Sequence, residues 1–266
     1  MQISRAAAAH RVRVLIPLLW VAGLGACGLH IGTGVDARDA WTRSYPVKPG
    51  VVLEVRETTG LVQVDASDGD AIVVNATRIA NASTEEAAKA LLSDFTIEET
   101  VTPDQITLDG TSKGASIGFN KSRHVEYHIT VPRATAVTIK SVTSEIRVTG
   151  IGGALRVETT NGEITGTALG NGADVRSTNG TITLDLAKLG EAGVRCEMTN
   201  GQVSVALPAD SKATINANLV NGAVRTDKLN VAVREQTGRK LVGTIGGGGP
   251  DVRVEMVNGE VRISGK

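Results

Sequence analysis

Five copies of a short motif built around Asn-Gly recur in the second half of the chain, and this repetition constrains the fold more than any other feature. The copies are TTNGEIT (159–165), STNGTIT (177–183), MTNGQVS (198–204), LVNGAVR (219–225) and MVNGEVR (256–262). Their asparagines are separated by 18, 21, 21 and 37 residues. A period of roughly 20 residues is typical of repeat proteins, in which each unit stacks on its neighbours because it cannot bury its apolar face alone.

Two weaker copies extend the pattern. Thr237-Gly238 divides the longest gap almost in two. A degenerate copy, TSEIRVTG, begins at Thr143 and lies 18 residues before the first full copy when Glu145-Ile146 is aligned with Glu163-Ile164. The sequence therefore predicts that the repeats begin near residue 137 and continue to the C-terminus.

The motif repeats a backbone feature rather than a chemical group. Glycine accepts a positive φ that other residues avoid, and Asn-Gly is favoured in tight turns for this reason. An apolar residue follows each glycine by two positions, as expected for a side chain that points into a core. We expect the copies to stack in chain order, with neighbouring asparagines roughly 5 Å apart, the distance between adjacent strands. The predicted structural turns are Asn161, Gly162, Asn179, Gly180, Asn200, Gly201, Asn221, Gly222, Asn258 and Gly259.

Two all-β folds explain the repeats. Asn-Gly between alternating strands is a strong hairpin signal, which favours an antiparallel sandwich. The return of the same residue class at the same place in each period favours a β-solenoid of stacked two-strand rungs, about 20 residues each. We favour the solenoid. One short helix is predicted in the N-terminal part, because Ser83-Thr84-Glu85-Glu86 is a capping box that precedes AAKALLSDF.

The N-terminus is typical of an exported lipoprotein. Three arginines precede an apolar run over residues 14–26, which is shorter than the roughly 20 residues that span a bilayer. The run ends in Leu-Gly-Ala-Cys and resembles the bacterial lipobox, in which a small residue precedes the cysteine that receives lipid. That cysteine is Cys27, and the expected membrane contact is made through its lipid. The predicted organisation is a lipoprotein signal peptide (1–26), a tether (27–44) and a single β-repeat domain (45–266) whose repeats are clearest in 137–266.

Two further residues bear on the compartment. Gly28 follows the cysteine, where an aspartate would retain a Gram-negative lipoprotein at the inner membrane, so we expect delivery to the outer membrane. Cys196 alternates with Val194 and Met198 and is expected to face inward as a buried, inert thiol, because no neighbouring histidine or helix start would lower its pKa.

From Tyr45 to Lys266 the chain resembles the bacterial "putative adhesin" family of β-strand-repeat envelope proteins. The resemblance rests on YPVKPGVVLEV (45–55), on the Asn-Gly copies, and on the glycine-rich ending GTIGGGGPDVRVEMVNGEVRISG (243–265). It implies a β-solenoid-like fold outside the cytoplasm, and it supplies no catalytic residues.

Three motifs that carry chemistry in other proteins lack their context here. Gly114-Ala115-Ser116-Ile117-Gly118 matches the nucleophile elbow, but no helix start follows it. His124 and His128 flank a predicted strand without the further ligands that zinc requires. GGGGPDVRV (246–254) matches a calcium-binding nonapeptide, but it occurs once and places an arginine where a large apolar residue belongs. We therefore predict no catalytic residue, no cofactor and no metal.

Composition narrows the function further. The 28 basic and 28 acidic residues give a net formal charge of zero, so the chain has no net positive charge that would attract nucleic acid. No aromatic residue follows Tyr127, so the repeats contain no ring on which a sugar could stack. The expected function is a non-enzymatic cell-envelope lipoprotein, adhesin-like or structural, whose partner is an unknown envelope protein or glycan. The alternatives are an envelope-stress regulatory component that binds a membrane partner and a carbohydrate-active enzyme.

The expected contact surface is the outward face of the repeats. We expect the largest concavity to hold no histidine, cysteine or clustered carboxylates, because an enzyme needs such convergent groups and a scaffold does not. The outward residues are Glu158, Arg176, Glu197, Arg253 and Glu255, and they alternate with inward Val157, Val175, Cys196, Val254 and Met256.

Overall fold

The computed structural model describes residues 34–111 and 121–266, and within these ranges the chain forms sixteen strands and one helix, α1 (Glu85–Ser93). The strands of the N-terminal part are β1 (Val35–Pro46), β2 (Val52–Arg56), β3 (Thr59–Ser67), β4 (Ala71–Ala82), β5 (Glu98–Val101), β6 (Gln105–Asp109), β7 (Ser122–Pro132), β8 (Ala136–Lys140) and β9 (Thr143–Thr149). The remaining strands are β10 (Leu155–Leu169), β11 (Ala173–Leu186), β12 (Val194–Leu207), β13 (Ala213–Asp227), β14 (Ala232–Gln236), β15 (Lys240–Ile245) and β16 (Asp251–Gly265). The predicted all-β class with one short N-terminal helix is confirmed.

The strands belong to one large sheet that does not close on itself. Its main path follows the order β1-β4-β7-β3-β9-β10-β11-β12-β16-β13-β15-β14, and β2, β5, β6 and β8 pair off this path. From β7 to β13 in this order the neighbours are parallel, whereas the pairs at both ends are antiparallel. A stack of parallel strands that is covered at each end by antiparallel strands is a solenoid-like repeat, because the terminal units of a repeat protein must cap its apolar interior.

The Asn-Gly copies lie side by side in register. Asn161 lies beside Asn179, and the same alignment continues across β12, β16 and β13. Each copy belongs to one strand of 14 or 15 residues that bends at Asn-Gly. The antiparallel-hairpin alternative is therefore wrong. Each rung with a full copy is one bent strand, whereas the β8–β9 rung has the predicted two strands, which pair with the two halves of β10. The degenerate copy pairs as predicted, with Glu145 beside Glu163.

Glycine is required at the bend for two reasons. The φ angles of the five turn glycines lie between +131° and +144°, in a region that residues with a Cβ avoid. In addition, a Cβ on Gly180 would lie far inside van der Waals distance of the carbonyl oxygen of Gly162 on the neighbouring strand. The strands can stack this closely at the bend only because neither residue has a side chain.

The predicted stacking in chain order is wrong at one place. The last strand, β16, lies between β12 and β13, so Asn258 rather than Asn221 neighbours Asn200. The segment that follows β13 explains this arrangement. β15 pairs with residues 213–218 of β13 on the outer side, which leaves only the inner side of β13 for a parallel partner.

The weak copy at Thr237-Gly238 is not a rung of the stack. It lies in the connection between β14 and β15, which pair as an antiparallel hairpin. Gly238 accepts a hydrogen bond from the backbone N–H of Val224 at 2.9 Å, and Arg239 accepts one from Leu219 at 2.8 Å. The hairpin therefore caps the end of the stack at the bend of β13.

Most of the predicted tether is a strand. β1 pairs with β4 over twelve residues, from Val35 to Pro46, so the folded unit begins earlier than the predicted boundary at residue 45. The strand is held because Ala37 packs with Ala80 and Ala88 in a small apolar cluster beneath α1. The helix begins one residue later than the capping box predicts, because Thr84 rather than Ser83 is the N-cap and its hydroxyl accepts the backbone N–H of Ala87 at 3.2 Å.

Candidate functional site

Four adjacent strands carry a pair of opposite charges on their outward face. The register places the four pairs beside one another, and the residue between the members of each pair points into the core. We call these eight residues the charged face: Arg156 and Glu158 on β10, Asp174 and Arg176 on β11, Arg195 and Glu197 on β12, and Arg253 and Glu255 on β16.

Each pair is bonded within its own strand. The distances are 2.7 Å from Arg156 Nη2 to Glu158 Oε1, 3.0 Å from Arg176 Nη2 to Asp174 Oδ2, 2.6 Å from Arg195 Nε to Glu197 Oε1, and 2.9 Å from Arg253 Nε to Glu255 Oε1. Side chains two residues apart on a strand point to the same side, which is why alternation permits these contacts. The pairs hold the charged groups in fixed positions.

Arg176 joins three of the strands into one network. Its guanidinium lies 3.5 Å from Glu158 on one side and 3.2 Å from Glu197 on the other, in addition to Asp174. The hydrogen bond from Arg156 lowers the pKa of Glu158, and the hydrogen bond from Arg195 lowers the pKa of Glu197. Both carboxylates therefore stay ionised at neutral pH.

A shallow groove of about 800 Å³ runs across five strands along the edge of the charged face. One wall is formed by Glu158, Arg176, Glu197 and Glu255, and Ser177, Met198, Met256 and Leu219 form the floor. The prediction that the main concavity lacks clustered carboxylates does not hold for this groove, because the register aligns three glutamates along it. Each of these glutamates is bonded to an arginine of its own strand.

The other wall is formed by part of a row of exposed β-branched residues, namely Thr178, Thr199, Val257 and Val220. Five members of the row directly precede the bend of their strand, and the other two lie in the β2–β3 and β8–β9 connections. The row consists only of threonine and valine. Exposed valines stand out here: Val220 is 57% exposed and Val257 is 40% exposed. The β-branched row is Thr58, Val142, Thr160, Thr178, Thr199, Val257 and Val220, in spatial order.

The turn asparagines form a hydrogen-bonded ladder beside this row. Every asparagine after the first, Asn161, donates its Nδ2 to the Oδ1 of the preceding one in the stack. The distances are 2.8 Å from Asn179 to Asn161, 2.8 Å from Asn200 to Asn179, 2.8 Å from Asn258 to Asn200, and 2.9 Å from Asn221 to Asn258. The amides satisfy one another, so the ladder fixes the bend of the sheet.

A buried carboxyl group lies at the other end of the stack. Glu57 is only 2% exposed, and its Oε1 accepts a hydrogen bond from the Ser144 hydroxyl. Burial raises the pKa of Glu57 to about 7, although the Ser144 hydrogen bond lowers it in part. Neither Oε2 of this residue nor the hydroxyl of Tyr127 has a hydrogen-bond partner among the described residues.

The remaining predicted positions are dispersed. His124 and His128 lie within β7 rather than flanking it, and the described part of the chain holds no cluster of three or more His, Cys, Asp or Glu side chains arranged to bind a metal. Gly246 to Gly249 form a tight connection before β16, where the N–H of Gly248 donates to Ile245 at 3.0 Å. Cys27 and the segment 114–118 lie outside the described residues.

The thiol predicted to face inward does so. Cys196 is fully buried, together with Val157, Val175 and Val254. Burial raises the pKa of this thiol to about 12, and the charge of Asp174 adds to the effect. A thiol in this state is a poor nucleophile at neutral pH.

A family model described as Toastrack DUF4097 matches residues 62–264. The chain belongs to the Toastrack DUF4097 family. This match confirms the family resemblance expected from the sequence. No protein of curated function has a sequence detectably similar to this Toastrack domain.

Several solved structures resemble this Toastrack domain at low sequence identity. A "putative cell adhesion protein" from Clostridium sporogenes is 14% identical, with 86% of this chain and 100% of that chain covered and a TM-score of 0.43. A "putative adhesin" from Bacteroides fragilis is 13% identical, with 86% and 97% covered and a TM-score of 0.36. A "putative lipid binding protein" from Parabacteroides distasonis is 10% identical, with 85% and 96% covered and a TM-score of 0.27.

The sequence analysis found five of the eight charged-face residues and missed three. Arg156, Asp174 and Arg195 are the missed members. A signal for them was present, because each of the four strands contains two charges of opposite sign separated by one apolar residue: RVE, DVR, RCE and RVE. The same pattern also occurs at 54–56, 145–147 and 260–262. The β-branched row was missed because threonine and valine are ordinary strand residues.

Proposed function

We propose that this Toastrack protein is a non-enzymatic, adhesin-like module of the cell envelope that makes polar contacts through its charged face. The observation that carries the proposal is the arrangement of that face. Eight charged side chains are held in register by mutual ion pairs on a stack of parallel strands. Because the ion pairs restrain the side chains, a partner would not have to immobilise them on binding.

The chemistry of the groove supports binding rather than catalysis. General acid–base catalysis needs a group whose pKa lies near the working pH. The pKa values of Glu158 and Glu197 are instead lowered by their arginine partners. The Cys196 thiol is buried, so it offers no nucleophile to the groove.

We further propose that the protein is exported and held at the outer membrane by lipid on Cys27, and that a bent strand with its connection, about 20 residues long, is the repeating unit. The apolar run before Cys27 and the small residue that precedes it support the anchor. Within the described ranges, no helix has both the length and the apolar character needed to cross a bilayer. Two or more acyl chains make membrane attachment effectively permanent.

The contact surface is tested by replacing its five predicted outward charges with serine. The changes are Glu158→Ser, Arg176→Ser, Glu197→Ser, Arg253→Ser and Glu255→Ser. Each site is at least partly exposed, and surface substitutions of this kind usually alter stability little, so each should stay within about 1 kcal/mol of the wild type. We expect the variant to lose attachment to envelopes prepared from its own bacterium, measured by co-sedimentation of the purified lipidated protein.

A matched control changes an ion pair away from this face. Glu145 and Arg147 form such a pair on β9, beyond the bend. Replacing both with serine should leave attachment unchanged. Equal attachment of the five-fold variant and the wild type would contradict the proposed surface.

A further inference from the structure

The charged face has a sign pattern that is complementary to itself. On β10, β12 and β16 the arginine comes first and the glutamate second, and on β11 the acidic residue comes first and the arginine second. In every one of the four strands the two positions therefore carry opposite charges. We propose that the charged face binds the same face of a second copy of this protein, an inference that rests on the proposed function and identifies its partner.

The pattern specifies one two-fold arrangement. The axis runs along the direction in which the strands stack, midway between the two rows of charges. Rotation about it keeps each strand opposite its own counterpart and exchanges the rows. Arg195 of one copy then faces Glu197 of the other, and Asp174 faces Arg176. All eight side chains of each copy meet an opposite charge, as an isologous interface requires.

Rotation about an axis parallel to the strands gives a different result. If that axis lies midway between β11 and β12, β10 of one copy faces β16 of the other. Glu158 of one copy would then face Glu255 of the other, which carries the same charge. A long polymer of uniform charge would likewise meet as many like charges as opposite ones. The observed pattern therefore favours a second copy in one orientation over an acidic or a basic polymer.

The shape of the face agrees with this arrangement. The β-branched row lies on one side of the charges, and on three of the four strands a small residue lies at the equivalent position on the other side: Ala154, Gly172 and Gly193. The rotation brings the threonines of one copy over these small residues of the other, and on β16 it brings Val257 over Asp251. The threonines involved are Thr160, Thr178 and Thr199.

The contact is small, and its size determines how it must be measured. Four strands at roughly 4.8 Å spacing and seven residues at roughly 3.3 Å each bound a patch of a few hundred Å². A standard stable interface buries about 800 Å² on each partner, so association in solution should be weak. Attachment of both copies to one membrane raises their effective concentration.

The test exchanges charges within two strands of the full-length lipidated protein. One variant carries Arg195→Glu, Glu197→Arg, Arg253→Glu and Glu255→Arg, so each strand keeps its internal ion pair. Copies of this variant should associate with one another like the wild type. Mixtures of variant and wild type should associate at least tenfold more weakly, because four of the eight contacts would join like charges. The measurement is resonance energy transfer between donor- and acceptor-labelled copies, in detergent and in phosphatidylcholine vesicles.

The control variant exchanges the ion pair on β9, with Glu145→Arg and Arg147→Glu. It should associate with the wild type as strongly as wild-type copies associate with one another. Thr178→Trp tests the same face at an exposed position without disturbing any charge, and should abolish energy transfer between identical copies. Wild-type copies that show no energy transfer in vesicles would overturn the proposal. So would mixtures that associate as strongly as identical copies.

The outcome also separates this inference from the proposed function. Attachment to envelopes that lack the protein, combined with absence of self-association, would leave the adhesive role standing and remove the second copy as its partner. Loss of attachment to every envelope, with self-association retained, would leave the second copy standing as a partner and remove the adhesive role.

Discussion

Glu57→Gln should remove a pH dependence from the stability of this Toastrack domain. The folded pKa of Glu57 is about 7, against an ordinary value of 4.5. A shift of this size corresponds to about 3 kcal/mol, since one pKa unit is about 1.4 kcal/mol. The folded state binds the proton more tightly than the unfolded state, so stability is greatest below the unfolded pKa. The contribution of Glu57 to the free energy of unfolding falls as the pH rises, and it is lost once the pH passes the folded pKa.

The glutamine variant is neutral at every pH and keeps an oxygen that can accept the Ser144 hydroxyl. We expect wild-type stability to fall by about 3 kcal/mol between pH 5 and pH 8 through this group. The variant should lack that decrease and be the more stable protein at pH 8. Urea unfolding at four pH values across this interval measures both curves, with Glu163→Gln, an exposed glutamate on β10, as the control. Parallel curves for the wild type and the Glu57 variant would refute the reasoning.

Three further predictions concern the bend, the ladder and the anchor. Gly180→Val should lower the free energy of unfolding by on the order of 1–3 kcal/mol or more, because the new side chain meets both strain and the neighbouring carbonyl. Gly238→Ala, which has open space around it, should change it little in the same denaturant titration. Asn200→Ala breaks two ladder hydrogen bonds and Asn221→Ala breaks one. At about 1 kcal/mol per hydrogen bond, Asn200→Ala should lower the free energy of unfolding about twice as much as Asn221→Ala. Equal losses for the two variants would contradict the ladder. Cys27→Ala should move the protein from the membrane fraction to the soluble fraction, and mass spectrometry of the wild type should find lipid on the N-terminal cysteine.

The repeat was predictable because its signal is a backbone requirement. A bend with positive φ and no room for a Cβ needs glycine in every copy, so the motif stays readable while its neighbours vary. The order of stacking was not predictable for the same reason. Every copy presents the same edge and the same inward alternation, so nothing in MVNGEVR shows that it inserts between β12 and β13.

The charged face was only partly predictable. Alternation from the turns identifies which residues point outward, and this gave Glu158 and Arg176. It gives no information on which outward residues of different strands lie side by side, because that depends on the register across connections of different length. Glu57 illustrates the same limit, since its hydrogen-bond partner in the interior, Ser144, lies 87 residues away in sequence.

The position of β16 has a consequence for how the protein matures. β12 and β13 are consecutive in the chain, yet one edge of each stays without a partner until β16 arrives between them. During synthesis from the N-terminus, β10, β11 and β12 can therefore assemble early, whereas one edge of β13 stays unpaired until β16 has followed. Contacts of such long sequence separation form slowly. A chain cut before β16 would leave one edge of β12 and one edge of β13 unpaired, and such open edges favour pairing with other chains.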